Sequence, residues 1–288
     1  MTDCSEIRLW TPPYVSLASA MQDYAREHAV PAGVSIDRIK GMAWDLIAHF
    51  DPQCDIAKID RQASRGYATH RMTVGGVQAP TARKELSFLR AVLGHAIREE
   101  RLVKTPTLYM PPANPPKTRY LSREEHRRLM LTPMPRRVWL FYLLAFGTGA
   151  RATAIEELTW DRVDLKRRTI DYRMPGVNHK GKRRVVAPIN DKLFPRLEAA
   201  YAHPKRDEFV IGAGPTTVHV CKAALVAAGI DEPGVCRHVA RHTFASWLLQ
   251  AGVSIYEVAK LLGDTVAMVE RVYGHVAPEH LMGAANRL

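Results

Sequence analysis

Residues Arg137–Trp160 read RVWLFYLLAFGTGARATAIEELTW, and this run decides how the chain is read. Its apolar segment, Val138 to Phe146, is about half the roughly 20 residues a membrane span needs. It suits a buried helix, Arg137 to Phe146, ended by Gly147-Thr148-Gly149. Arg151 follows directly. Beyond Trp160 the period switches from helical to alternating. Arg162–Leu165, Thr169–Met174 and Arg184–Ile189 are expected to be short strands, the last two joined by the basic turn Gly176–Arg184. From Asp191 onward helical periodicity returns. The second half is therefore expected to be mainly α with a small antiparallel β-sheet, an α+β fold.

Upstream, Ser122 with Glu125 three residues on is a capping box that opens a helix through Leu131. Before it, Thr105–Thr118 (TPTLYMPPANPPKT) carries five prolines, which remove donors and restrict their neighbours, so neither helix nor interior strand fits. Residues 111–118 are read as an interdomain linker. Ahead of it the pattern is helical throughout. Leu17, Met21, Tyr24 and Ala25 form one stripe, Ile39, Met42, Ala43, Leu46 and Ile47 a second, and Leu86, Leu89, Leu93, Ala96 and Ile97 a third. The expected organisation is a helical domain over 1–110, the linker, and a mixed domain over 119–288.

With 41 Lys+Arg against 29 Asp+Glu, the 288 residues carry a formal charge of +12, which calls for a polyanionic partner. Both halves are basic: +3 through Thr118 and +9 from Arg119. Hydrophobic residues at 47% and charged ones at 24% exclude a disordered or collagen-like chain. The opening residues lack the basic and apolar regions of an export signal. The four cysteines form no C-x-x-C pair, which argues against structural zinc and for reduced thiols; a cytoplasmic location is expected.

Three clusters carry chemistry: Gly147-Thr-Gly-Ala-Arg151; the turn with Lys180, Lys182, Arg183 and Arg184; and His238-Val-Ala-Arg241, followed by Leu261-Leu-Gly-Asp264 and Val272-Tyr273. In this order and spacing they resemble the tyrosine recombinases, the phage integrase family. The resemblance covers essentially the whole chain, because the N-terminal part also looks like the family's helical, SAM-like core-binding domain. Matched position by position, it implies Arg151, Lys180, His238, Arg241 and the nucleophile Tyr273, with Asp264 where the family carries His or Trp.

The residue types suit the chemistry. Charge rises on the non-bridging oxygens of a phosphodiester under attack, and two guanidiniums stabilise it through planar, permanently charged forks. Tyrosine ionises near pH 10, so it needs a base or nearby cations to act as a nucleophile. His238 is the expected proton-handling partner. The leaving 5′ oxygen needs an acid, and Lys180 is the candidate by resemblance, with Lys182 its nearest competitor. No acidic cluster suggests a two-metal site, and no cofactor is implied. His242 and His275 read as packing residues, and Glu157 and Trp160 as supporting or core positions.

Two positions depart from the family pattern. Ala154 lies where many members carry Glu or Asp, so Arg151 must be oriented by another group. Asp264 can only accept hydrogen bonds when ionised and would repel phosphate unless it turns away or pairs with Arg271 or His275.

The resemblance implies site-specific DNA cleavage and rejoining through a 3′-phosphotyrosyl intermediate, serving prophage or mobile-element integration or excision. The implied partners are double-stranded DNA, three further copies in a tetramer on DNA (a monomer or weak oligomer in solution) and a DNA-bending or directionality accessory protein, with no membrane. The last fifteen residues are expected to form a short helix docking on a neighbouring subunit, and the short N-terminal lead is too brief for an arm-type DNA-binding domain. Two alternatives stand beside this. One is a type IB topoisomerase-like activity. The other is a recombinase-fold DNA-binding regulator with weak or lost catalysis, to which the helix-turn-helix-like Ala251–Gly263 also speaks.

Overall fold

The computed structural model describes residues 14–104, 106–115, 118–176, 183–214 and 217–274. The chain divides into two compact units that meet between Pro115 and Pro116, inside the proline-rich stretch.

The first unit is helical. Helix α1 (Leu17–Tyr24) starts where the Ser16 hydroxyl accepts from Ser19 N, and it continues as a π-turn over Ala25–Ala29. Helix α2 (Ile36–Phe50) is capped by Ser35, and α3 (Arg61–Thr73) by Asp60, whose carboxylate accepts from Ala63 N at 2.8 Å. Helix α4 (Ala79–Arg98) admits Pro80 in its first turn, where no intrahelical donor is needed. Leu86, Leu89 and Leu93 of α4 bury against Leu17, Leu46, Ile56 and Tyr67, so the stripes read from the sequence face one core. The polar α3 has no apolar stripe of its own. It contributes Ser64, Tyr67 and Ala68 to the interior.

In the second unit, α5 (Arg123–Leu131) opens on the expected box: Ser122 Oγ accepts from Glu125 N while Glu125 accepts from Ser122 N. Helix α6 (Arg136–Thr148) is the apolar run and lies in the middle of the unit's core. It ends at Gly149, whose φ of 66° is left-handed. A side chain at 149 would also run into Phe244 and Leu262. Arg151 then caps α7 (Ala152–Glu156). Strands β1 (Val163–Asp164), β2 (Thr169–Asp171) and β3 (Val186–Pro188) pair antiparallel in the order β1-β2-β3, Ile170 facing Ala187 across the sheet. The strands are shorter than the alternating runs that announced them.

Helices α8 (Phe194–Tyr201) and α9 (Val218–Ala227) complete this core. Helix α10 (Val239–Gln250) lies against α6. With α11 (Ile255–Leu262) and α12 (Val266–Tyr273) it forms a smaller cluster around Leu249, Val258, Leu262 and Tyr273. Among the described residues no helix is long and apolar enough to cross a membrane. Cys221 is buried and Cys54 and Cys236 are half-buried, all as free thiols.

Candidate active site

Four elements of the second unit converge on one patch. The α6–α7 junction presents Arg151, α10 presents Arg241 and His242, the end of α11 presents Asp264, and α12 ends on Tyr273. The junctions are fixed by glycine. Gly263 has a φ of 64°, and a Cβ there would lie 2.8 Å from the Arg183 carbonyl oxygen. Only glycine lets the chain turn off α11 this close to the strand leading into β3.

Among the described residues, the arginines are held by backbone and by one carboxylate. Arg241 donates from Nη1 to Gly149 O at 2.6 Å and from Nη2 to Leu262 O at 2.9 Å. Arg151 donates from Nη1 to Arg183 O at 2.7 Å, so the basic turn rejoins the fold on the arginine itself. Asp264 bridges the two. Its Oδ1 accepts from Arg151 Nη2, and its Oδ2 accepts from Arg241 Nη2 at 2.5 Å. Asp264 therefore neither turns away nor pairs with Arg271, whose Nη2 lies instead on Met268 Sδ at 3.1 Å. Bridging the two arginines is an arrangement not among those expected from the sequence, and pairing with His275 lies outside the described residues. The bridge also answers the question raised by Ala154, which lines one small cleft with Arg151 and Arg241. The missing carboxylate comes from α11 rather than α7.

Burial, and then the neighbouring Arg151 charge, push Arg241 below the usual arginine range, while Asp264 opposes both. Tyr273 is buried and its hydroxyl lies 3.0 Å from His242 Nδ1. Burial, only partly offset by the Arg241 charge, pushes its ionisation up to about 12. A phenol so placed stays protonated until something takes its proton, and Nδ1 can do so when the ring's proton is on Nε2.

The structure thus brings together Arg151, Arg241, Asp264 and Tyr273. His238 stands exposed as the residue before α10, and it is His242, one helical turn along, that meets the phenol. The sequence had marked His242 as packing. The signal that could have found it is the i, i+4 spacing from His238, which puts both rings on one side of α10. Lys180, Lys182, His275 and the expected C-terminal helix lie outside the described residues. Glu157 pairs with Arg184, and Trp160 is buried in the core, so both take supporting positions. Among the described residues no cluster of His, Cys, Asp and Glu could hold a metal ion.

A mainly helical unit with a small antiparallel sheet, presenting two arginines and a helix-borne tyrosine at one patch, defines a tyrosine recombinase. The chain belongs to the phage integrase family, which it matches over residues 119–280. It is 25% identical to tyrosine recombinase XerD of Haemophilus influenzae over 285 residues, covering 90% of this chain and 93% of that one. It is 29% identical to the integrase of Salmonella phage P22 over 228 residues, covering 72% of this chain but only 57% of the phage protein. Two solved structures share the fold. The Tn1549 transposon integrase in complex with transposon right end DNA superposes with a TM-score of 0.73 at 16% identity, over 93% of this chain and 99% of that one. A lambda integrase tetramer bound to a Holliday junction superposes with a TM-score of 0.67 at 16% identity, over 90% and 78%.

Proposed function

We propose that the protein is a site-specific DNA recombinase that cuts and rejoins duplex DNA through a 3′-phosphotyrosyl intermediate. The observation that carries this reading is the pair of arginines, drawn from α10 and the α6–α7 junction, which converge on a single anionic group beside Tyr273. Two forks sharing one anion suit a phosphodiester, whose non-bridging oxygens gain charge as the phosphorus becomes pentavalent.

In the proposed reaction the Tyr273 oxygen attacks phosphorus as its proton passes to His242. The bond to the 5′ oxygen breaks, and that oxygen takes a proton from the lysine of the basic turn, for which Lys180 remains the candidate. His238, exposed at the start of α10, is proposed to contact the phosphate. The 5′ hydroxyl of a second strand then reverses the steps, so bond energy is conserved without ATP, and reciprocal exchange between two sites needs four copies. The helical first unit is proposed to grip the duplex as a core-binding domain. A soluble protein acting on DNA in the cytoplasm, for prophage or mobile-element integration or excision, accords with the +12 charge and the family.

The test is incubation with nicked suicide duplexes spanning the gene's own flanks, followed by denaturing gels. A covalent protein–DNA complex lost in Tyr273→Phe is the expected result, and its absence from wild type sinks the reading. A second reading, a DNA-binding regulator on the same scaffold, draws support from Asp264, which already neutralises part of the arginine charge. It predicts specific binding without any adduct. Relaxation of supercoils by a monomer without site preference would instead favour topoisomerase-like activity.

A further inference from the structure

The two arginines of the proposed phosphate seat are not waiting empty. Each guanidinium donates to a different oxygen of Asp264, Arg151 to Oδ1 and Arg241 to Oδ2. Two non-bridging oxygens of a phosphodiester would divide between two forks in the same way. The remaining named contacts of both arginines are to backbone carbonyls, of Arg183, Gly149 and Leu262, which are fixed by the fold. Among the described residues Asp264 is therefore the side-chain partner that an external oxyanion can replace.

Its position is set by the helix end, not by a loose loop. The left-handed Gly263 turns the chain, and Asp264 N donates back to Ala259 O at 3.0 Å. Ala154, which lines a small cleft with both arginines, supplies no carboxylate. Without Asp264 two like charges would face each other with no carboxylate between them, one of them on a side chain only 11% exposed. Burial of that kind disfavours the charged forms unless an anion is near.

We propose that Asp264 is an internal stand-in for the scissile phosphate, a positioning residue that holds Arg151 and Arg241 in place in the DNA-free protein and must yield them to DNA. The identity of the displacing anion rests on the recombinase reading above. The seat itself concerns any tetrahedral oxyanion. Left in place, the carboxylate would repel the charge that builds up in the transition state. Two effects of removing it then have opposite signs. The DNA-free fold weakens, while oxyanion binding and cleavage strengthen. An ion pair that is merely structural would lose on both counts.

The experiment uses the full chain, wild type and Asp264→Asn, with inorganic sulfate as the probe at constant ionic strength. Without sulfate, Asp264→Asn is expected to melt several degrees below wild type. Sulfate should raise its melting temperature well beyond the chloride control while moving wild type little, with about a tenfold gain in sulfate affinity, the scale of one charge-assisted hydrogen bond returned to the ligand. Adding Arg241→Ala to Asp264→Asn should abolish the gain. On the nicked duplex, Asp264→Asn should form the Tyr273 adduct about tenfold faster. The proposal is overturned if sulfate binds the variant no better than wild type, or if the variant binds DNA normally but forms adduct more slowly. If Asp264→Asn does not fold, Asp264→His removes the same carboxylate and is judged by the same criteria. If no variant forms an adduct, the recombinase reading fails, and the sulfate measurement alone still decides the stand-in.

Discussion

Each unit contains a cluster of arginine, carboxylate and tyrosine, and the two are built to opposite charge balances. In the first unit Arg71 donates to both oxygens of Glu85 and to Asp45 at 2.9 Å, and Tyr67 donates to Glu85 at 2.7 Å. One cation meets two carboxylates, and Tyr67 and Glu85 are both buried. In the second unit two cations share, among the described residues, the single carboxylate of Asp264, and Tyr273 faces a histidine. The first cluster is complete and ties α2, α3 and α4 together. The second, counted over the described residues, has two cations to one anion. The same residue types thus make a brace in one place and a candidate reaction centre in the other, and the stoichiometry of charge tells them apart.

The widest separation is expected between the tyrosines. Tyr273→Phe should abolish the covalent DNA complex on denaturing gels. Tyr67→Phe should leave the adduct yield per folded molecule unchanged but cost about 1–3 kcal/mol in denaturant unfolding, because buried Glu85 loses a donor. Adduct formation in Tyr67→Phe that fell in parallel with Tyr273→Phe would erase the distinction.

The arginines come next. Arg241→Lys or Arg151→Lys should slow adduct formation by about 10²–10³-fold, since a lysine cannot reproduce the fork. Arg71→Met should destabilise the fold by about 3–5 kcal/mol by leaving carboxylates unpaired, with single-turnover rates of the folded fraction unchanged.

A smaller effect separates the histidines of α10. His242→Phe should slow adduct formation about a hundredfold at neutral pH, the low end for a lost general base, and the deficit should shrink as rising pH ionises the phenol directly. His238→Phe should keep the wild-type slope. The reverse result would return the proton to His238.

The smallest effect lies in alkaline stability. A phenol that ionises near 10 when unfolded and at about 12 when folded binds more protons in the folded state between those values, so stability falls as pH rises through that window. Melting curves of Tyr273→Phe should lose part of that decline. Tyr67, pushed up by burial and by Glu85, should behave alike, which makes this the property in which the two clusters agree.

Much of this was legible in the chain. The Ser122–Glu125 box, the glycine stop of α6, the three strands and the packed stripes of α1, α2 and α4 follow from local donors, turn chemistry and periodicity, which act over a few residues. Helix α3 carried no stripe, because its buried residues are a serine, an alanine and a tyrosine whose hydroxyl donates to Glu85 on another helix. The arginines and Tyr273 could be picked out by motif and spacing. Their partners could not. Nothing near Asp264 in sequence indicates that it would bridge residues 113 and 23 positions away.

The sequence by itself determined the striped and capped helices, the three strands, the polyanion-seeking charge and the residue types available for phosphoryl chemistry, because these depend on composition and short-range pattern. Only the tertiary structure decided which histidine meets Tyr273 and where the carboxylate absent at Ala154 would come from. Side-chain hydrogen bonds of one geometry can be satisfied from any element that reaches the same point. Which element reaches it is set by how α7, α10, α11 and α12 pack, not by their order along the chain.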